Sequence, residues 1–310
     1  MSRTAYLAAE GFEAQLREEL GSRILFEHDR LFVAGDDGPP AAWAANTWFD
    51  VQEVAIESIG DAAAKLKAIQ RNWAAYAPVH HRRARLIVEK LPHVSAKPLE
   101  FGRPLPAAPL GSFTLLAPER MLYAARCSSP RPNGVFDFNE DREGPPSRAY
   151  LKLWEGLTRH NLEFGHGLPQ PGDVALDLGA SPGGWAWVLA QTGAQVTAID
   201  KAPLAENVMA MRNVAWRQGS AFALDPDDFG PVDWLCSDVI CYPARLLRLV
   251  QRWLGSGRVR NAVCTLKFQG ETDHDTARAF AAIPGSRLVH LHHNKHELTW
   301  LWSSPSAASG

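Results

Sequence analysis

The segment Asp177-Leu178-Gly179-Ala180-Ser181-Pro182-Gly183-Gly184-Trp185 follows the apolar run Val174 to Leu178 and leads into a helical pattern. Glycines at the carboxyl end of a strand let a ligand approach the backbone, and the helix N-terminus beyond favours an anionic or electron-rich group. Asp200 ends the next apolar run, Gln195 to Asp200, where an acid accepts hydrogen bonds from ribose hydroxyls. A nicotinamide cofactor would use the same layout. Here, however, Gly179-x-x-x-Gly183-Gly184 replaces G-x-G-x-x-G, and Pro182 occupies the turn. Such a turn by itself marks only a nucleotide-cofactor site.

Metal chemistry is not expected. The cluster His292-His293-Asn294-Lys295-His296-Glu297 has no H-E-x-x-H spacing, and Cys127, Cys236, Cys241 and Cys264 form no C-x-x-C pair. The cysteines read as reduced thiols of a cytoplasmic protein.

Four phrases carry a more specific signal: Ser147-Arg148-Ala149-Tyr150-Leu151-Lys152-Leu153, the glycine turn, Val232-Asp233-Trp234-Leu235-Cys236-Ser237-Asp238, and Thr265-Leu266-Lys267. Together they resemble the FtsJ-type S-adenosylmethionine-dependent RNA ribose 2'-O-methyltransferases. The resemblance spans about residues 128 to 302 and is closest to the bacterial subgroup that methylates a cytidine of large-subunit (23S) ribosomal RNA. It implies a Rossmann-like class I methyltransferase domain with S-adenosyl-L-methionine as cofactor. The implied cofactor residues are Asp177, Gly179, Ala180, Ser181, Pro182, Gly183, Gly184, Trp185, Asp200, Ser220 and Asp238. Ser220 stands where the family usually places an acid toward the adenine amino group, so Ser220 or the Ala221 backbone must substitute for it.

The resemblance also implies a catalytic tetrad, Lys152, Asp238, Lys267 and Glu297. The chemistry agrees with such a set. A ribose hydroxyl is a poor nucleophile and the sulfonium methyl is already activated, so base and in-line positioning are what the reaction needs. A lysine serves as base when a second cation and partial burial depress its pKa. On this reading Lys267 is the base, Lys152 the neighbouring cation, and Asp238 and Glu297 hold the two ammoniums. The bland readings are a surface pair of Lys152 with Glu155 and a helix-capping role for Asp238.

These residues need elements to position them. At 310 residues and 34.1 kDa the chain is long enough for two domains. Residues 147–302 alternate strands and helices, which means α/β with a parallel sheet, and Ser147 reads as the N-cap of the opening helix. Arg287 to His292 and Glu297 to Trp302 are expected to close the sheet as an antiparallel pair. Residues 1–90 mix short strands and helices, an α+β domain whose opening Gly11-Phe12-Glu13 is similar to THUMP-like RNA-binding modules. Prolines crowd residues 91–146, which read as a bridging region, and 303–310 as a disordered tail.

Hydrophobic residues at 46% and charged residues at 21% fit a globular chain, and no run reaches the length of a membrane span. The net charge of −2 conceals a gradient: −7 over residues 1–60, +6 over 61–150 and −1 over the rest. A basic middle suits a localised anion-binding surface. Within it Arg71, Trp73, Arg82, Arg83 and Arg85, with Arg148 further on, are the RNA-contact candidates, the arginines for phosphates and Trp73 or Tyr76 for an unpaired base. Arg126, Ser128, Arg131 and Arg142 lie nearer the tetrad in the chain, as candidates for the mouth of the crevice. The expectation is a monomeric RNA 2'-O-methyltransferase. Its competitors are a small-molecule methyltransferase on the same fold and an inactive RNA-binding relative.

Overall fold

The computed structural model describes residues 3–35 and 39–305. The chain divides into two compact units, Met1–Leu99 with Arg103–Asp137, and Glu100–Gly102 with Phe138–Gly310.

In the first unit β1 (Thr4–Ala8), α1 (Glu13–Leu20), β2 (Ile24–His28), β3 (Leu31–Ala34), β4 (Ala44–Phe49), β5 (Gln52–Ala55), α2 (Ile59–Ile69), β6 (Trp73–Ala75), α3 (His81–Val88), β7 (Gly111–Ala117), β8 (Arg120–Ala124) and β9 (Arg126–Cys127) follow one another. They build a five-stranded sheet, β2-β3-β1-β4-β9, and a four-stranded sheet, β5-β8-β7-β6. Ser58 caps α2 by accepting the Asp61 amide hydrogen. The apolar stripes of α2 (Ala62, Ala63, Leu66) and α3 (Ala84, Ile87) share one core with Trp73, Phe113, Leu115 and Met121.

The proline-rich stretch departs from the sequence reading. β7 and β8 are the two central strands of the second sheet, so the first unit runs on to Asp137 and residues 91–146 are no separate bridge. Pro104, Pro106, Pro109 and Pro118 flank those strands without entering their ladders, so a high proline count coexists with regular sheet.

The second unit contains α4 (Tyr150–Phe164), β10 (Val174–Leu178), α5 (Gly184–Gln191), β11 (Gln195–Asp200), α6 (Glu206–Met209), β12 (Val214–Gln218), β13 (Val232–Ser237), α7 (Pro243–Gly255), β14 (Val259–Lys267), α8 (His274–Ala281), β15 (Ser286–Val289) and β16 (Glu297–Ser303). Its seven-stranded sheet has the order β12-β11-β10-β13-β14-β16-β15. β10 to β14 are parallel, and β16 runs antiparallel to both β14 and β15. α4 packs against α5 and on β14 and β16, while α7 packs against α8 and on β14. The strand order reverses between β10 and β13. That switch point opens a crevice at their carboxyl ends, where ligands bind in open α/β sheets.

Two further details differ from the sequence reading. Ser147 does not cap α4: Ala149 holds that position without a side-chain bond, and the helix starts at Tyr150. Ser303 is no tail residue but the buried end of β16, and the Ser304 amide donates to the Arg260 carbonyl. The remainder of that proposed tail, 306–310, lies outside the described residues. Among the described residues no helix is long and apolar enough to cross a membrane.

Candidate active site

The crevice holds a cavity of about 560 Å³. Asp177, Gly179, Ala180, Ser181, Pro182, Gly184, Trp185, Asp200, Ser220 and Asp238 line it, and Gly183, at φ 110°, forms the N-cap of α5 beside them. Gly179 has φ +81°, and a Cβ there would lie 2.6 Å from Cβ of Val239. Only glycine lets the turn after β10 approach the loop after β13 this closely. Asp200 organises the turn, its Oδ2 accepting the Ser181 amide and its Oδ1 the Ala202 amide, each at 3.0 Å. Trp185 is buried and donates its Nε1–H to the Ala149 carbonyl at 2.9 Å, which ties α5 to the start of α4.

Two polar groups on the crevice wall lack a full set of protein partners. Ser147 Oγ is buried without a hydrogen bond, and the buried Asp177 carboxyl has no aligned one beyond the electrostatic support of the Ala186 amide. Burial pushes the Asp177 carboxyl up to about 8; the charges of Asp238 and Asp200 add to this, and the Ala186 amide partly opposes it. Buried polar atoms are normally paired, so these mark a place for a polar ligand. Ser147 is a cavity-lining residue that the sequence reading took for a helix cap. Its position before an apolar run is the same signal a helix cap gives.

At the other end of the cavity Ser220 Oγ accepts the Phe222 amide at 3.3 Å, and the Arg245 guanidinium lies 3.8 Å from the Phe222 ring centroid. Neither Phe222 nor Arg245 stands out in the sequence, because their pairing joins a short turn to α7.

The four tetrad candidates converge. Lys152 Nζ on α4 lies 2.6 Å from Glu297 Oε1 and 3.6 Å from Asp238 Oδ1, while Lys267 Nζ lies 3.1 Å from the same Asp238 oxygen. The contacts to Asp238 Oδ1 are ionic and lack hydrogen-bond alignment; the aligned bond from Lys267 Nζ runs to the Asp238 backbone carbonyl at 2.5 Å. Lys267 ends β14 and Glu297 begins β16, and the antiparallel register sets them directly opposite one another. All four side chains are less than one-fifth exposed. Two ammoniums and two carboxylates therefore share one partly desolvated spot, with Asp238 and Lys267 on the wall of the cavity.

Glu155 does not pair with Lys152. It is fully buried, binds Arg159 Nε at 2.8 Å, and accepts the backbone amides of His292 at 2.9 Å and His293 at 3.3 Å. The histidine cluster serves this same turn: His290 Nε2 meets the Lys295 carbonyl at 3.0 Å, and burial brings its pKa down to about 4. His296 Nε2 meets Thr272 Oγ1 at 2.8 Å.

The RNA-contact candidates divide. Trp73 is 2% exposed and donates Nε1–H to the carbonyls of Leu66 and Gln70, so its ring is core and no stacking platform. Tyr76 is likewise buried, its hydroxyl bonded to Asp29. Trp73 packs under α2 and α3, and Tyr76 packs with Leu7, Leu31, Val33 and Trp48 in a second core, so both rings serve packing. Arg71, Arg82 and Arg85 are exposed, Arg83 is half-buried, and Arg85 pairs with Glu89 at 3.5 Å. Arg148 is exposed and pairs with Glu140 at 2.7 Å. Arg131 is buried and donates to the carbonyls of Val135 and Lys97, a structural role within the first unit.

Residues 145–279 match the model of the FtsJ-like methyltransferase family. Among curated proteins the chain is similar to a ribosomal RNA large subunit methyltransferase M from Alkalilimnicola ehrlichii, 38% identical over 61% of this chain and 54% of that one. A protein of the same name from Pseudomonas putida is 40% identical over 44% of this chain and 38% of that one. The chain spans about half the length of the curated relatives it matches. Among solved structures a magnesium protoporphyrin IX methyltransferase from Synechocystis aligns with a TM-score of 0.33 at 15% identity, covering 43% of this chain and 71% of that one.

Proposed function

We propose that the FtsJ-like methyltransferase segment transfers a methyl group from S-adenosylmethionine to a ribose 2'-hydroxyl of RNA, a cytidine of large-subunit ribosomal RNA being the favoured target. The observation that carries this reading is the Lys152–Asp238–Lys267–Glu297 cluster, which reaches the wall of a nucleotide-sized cavity through Asp238 and Lys267. The matched family and the names of the curated relatives support it.

The residues present fit the cofactor. Asp200 would take the ribose hydroxyls and the turn Gly179 to Gly184 the close-packed backbone contact. The unpaired Ser147 Oγ and the incompletely paired Asp177 carboxyl would meet the polar amino-acid arm. Ser220 and the Ala221 amide would face the adenine edge. When bound, the cofactor supplies an electrophilic methyl on a sulfonium. The protein has then to hold the hydroxyl in line and remove its proton. Lys267, as the neutral amine, is the base and takes the hydroxyl proton, the Lys152 ammonium orients the hydroxyl oxygen, and Asp238 and Glu297 fix the two lysine side chains. Lys152 is anchored at 2.6 Å by Glu297 and Lys267 by the Asp238 carbonyl, so neither has to be ordered when substrate arrives.

The first unit would serve as a THUMP-like RNA-binding module, with Arg71, Arg82, Arg83 and Arg85 toward phosphates; Arg148 is a separate phosphate-contact candidate of the second unit. On this reading the protein works as a cytoplasmic monomer without a metal.

Two measurements test the reading. Calorimetry should show S-adenosylmethionine or its demethylated product binding, with Asp200→Ala weakening it about ten- to a hundredfold, the value of charge-assisted hydrogen bonds. Ribose-methylation mapping of total RNA should show one large-subunit position unmodified in a deletion strain. Preference for a nicotinamide dinucleotide overturns the cofactor; an unchanged methylation map overturns the substrate.

A further inference from the structure

Ile240 and Tyr242 are 77% and 66% exposed, the two most exposed large apolar side chains among the described residues. Both lie in the short segment that joins β13 to α7 and begins with Asp238, whose carboxylate and carbonyl hold Lys267. A lone exposed apolar side chain needs no explanation. Two of them within three residues, tethered directly to a catalytic-cluster residue, do.

Ile240 lines the rim of the cavity, as do Lys201 and Arg245, the latter in the first turn of α7. Four residues of chain reach at most about 14 Å, so Tyr242 stays close to Asp238 whatever the loop conformation. The rim thus combines a flat aromatic face, an aliphatic face and two cations. Bases of single-stranded RNA stack on aromatic side chains while neighbouring phosphates take cations. Tyr242 lies outside the lining of the cavity that would hold the cofactor, so its ring is left for another ligand.

Building on the proposed RNA methyl transfer, we infer that Tyr242, with Ile240 beside it, is a stacking platform for an unpaired base of the RNA strand next to the target nucleotide. Arg245 takes the adjoining phosphate. The platform fixes the strand so that the target ribose lies against Lys152 and Lys267. It positions the substrate and plays no part in the chemistry.

The test is single-turnover transfer of labelled methyl from S-adenosylmethionine to large-subunit ribosomal RNA transcribed in vitro, with enzyme in excess and varied. Tyr242→Ala should raise the enzyme concentration at half-maximal rate on the order of tenfold, the worth of one stacked base, and Tyr242→Phe should restore it to within about twofold. Ile240→Ala should give a shift of about threefold in the same direction. Cofactor affinity, measured by calorimetry, should be the same in Tyr242→Ala and Tyr242→Phe as in wild type, since Tyr242 does not line the cavity. An unchanged half-maximal concentration in Tyr242→Ala overturns the platform. A loss in Tyr242→Phe equal to that in Tyr242→Ala also overturns it, since the hydroxyl and not the ring would then matter. A wild-type protein that binds cofactor but methylates no RNA overturns the catalytic reading instead.

Discussion

Glu155 Oε1 accepts the backbone amide of His292 at 2.9 Å across 137 positions of sequence. Oε2 takes the next amide, so one buried carboxylate in the middle of α4 anchors the turn that leads into Glu297. Glu297 in turn holds Lys152, which lies one helical turn before Glu155 on the same helix. The helix thus supplies a catalytic candidate and the anchor for that candidate's partner.

Removing one member of a buried ion pair costs about 3–5 kcal/mol, and Glu155→Ala would take the carboxylate away from Arg159 and from two backbone amides. Glu155→Ala should therefore melt many degrees lower than wild type, with Glu155→Gln between them. The positioning role makes a further demand: well below its melting point, Glu155→Gln should transfer methyl more slowly while binding cofactor normally. A wild-type single-turnover rate in Glu155→Gln would reduce the carboxylate to a purely structural anchor.

Lys267→Ala should abolish methyl transfer and leave cofactor affinity nearly unchanged, because the ammonium faces Asp238 and the proposed hydroxyl position. General-base catalysis contributes about two to four orders of magnitude, which sets the expected loss. Single-turnover rates on one RNA are the measurement, and a residual rate near wild type would move the base elsewhere in the cluster.

Asp177 gives a pH prediction with a definite sign. Its folded carboxyl titrates near 8 against an ordinary value of 3.8. Between about pH 4 and pH 8 the folded protein holds a proton that the unfolded chain has released, so stability falls as pH rises through this window. The slope is at most about 1.4 kcal/mol per pH unit. Thermal melts of cofactor-free protein should show Asp177→Asn gaining on wild type from pH 5 to pH 8.5. Parallel melting curves for the two proteins across that range would contradict the raised pKa.

Neutralising Arg82, Arg83 and Arg85 together should weaken RNA binding and spare the cofactor site, which belongs to the second unit. For every arginine–phosphate pair removed, the log-log salt dependence should flatten by about 0.7 for a single strand. A salt titration of both proteins on one RNA fragment decides the matter. An unchanged slope would make the face of α3 ordinary solvated surface.

What the sequence discloses is local. The Asp177 to Trp185 turn is legible because glycine and proline constrain the backbone within a few residues, and Lys267 because it directly ends a buried apolar run. β12 escapes notice as a strand: it lies at the sheet edge, and only part of it is covered, so its side chains need not all be apolar. Trp73 misleads because nothing in its neighbourhood shows that Gly111 leaves room for its ring; a Cβ there would lie 2.6 Å from it. Glu155 and Ser147 owe their roles to partners distant in sequence, which a local pattern does not contain.

β16 lies between β14 and β15 in the sheet, although it follows both in the chain. β15 therefore has no neighbour to pair with until the last strand has been made and has slotted in beside β14. The same event delivers Glu297 opposite Lys267 and next to Lys152. A nascent chain that has not yet reached this strand has an open sheet edge along β14 and a Lys152 without its 2.6 Å carboxylate partner. Completion of the sheet and assembly of the proposed catalytic cluster thus depend on the same strand.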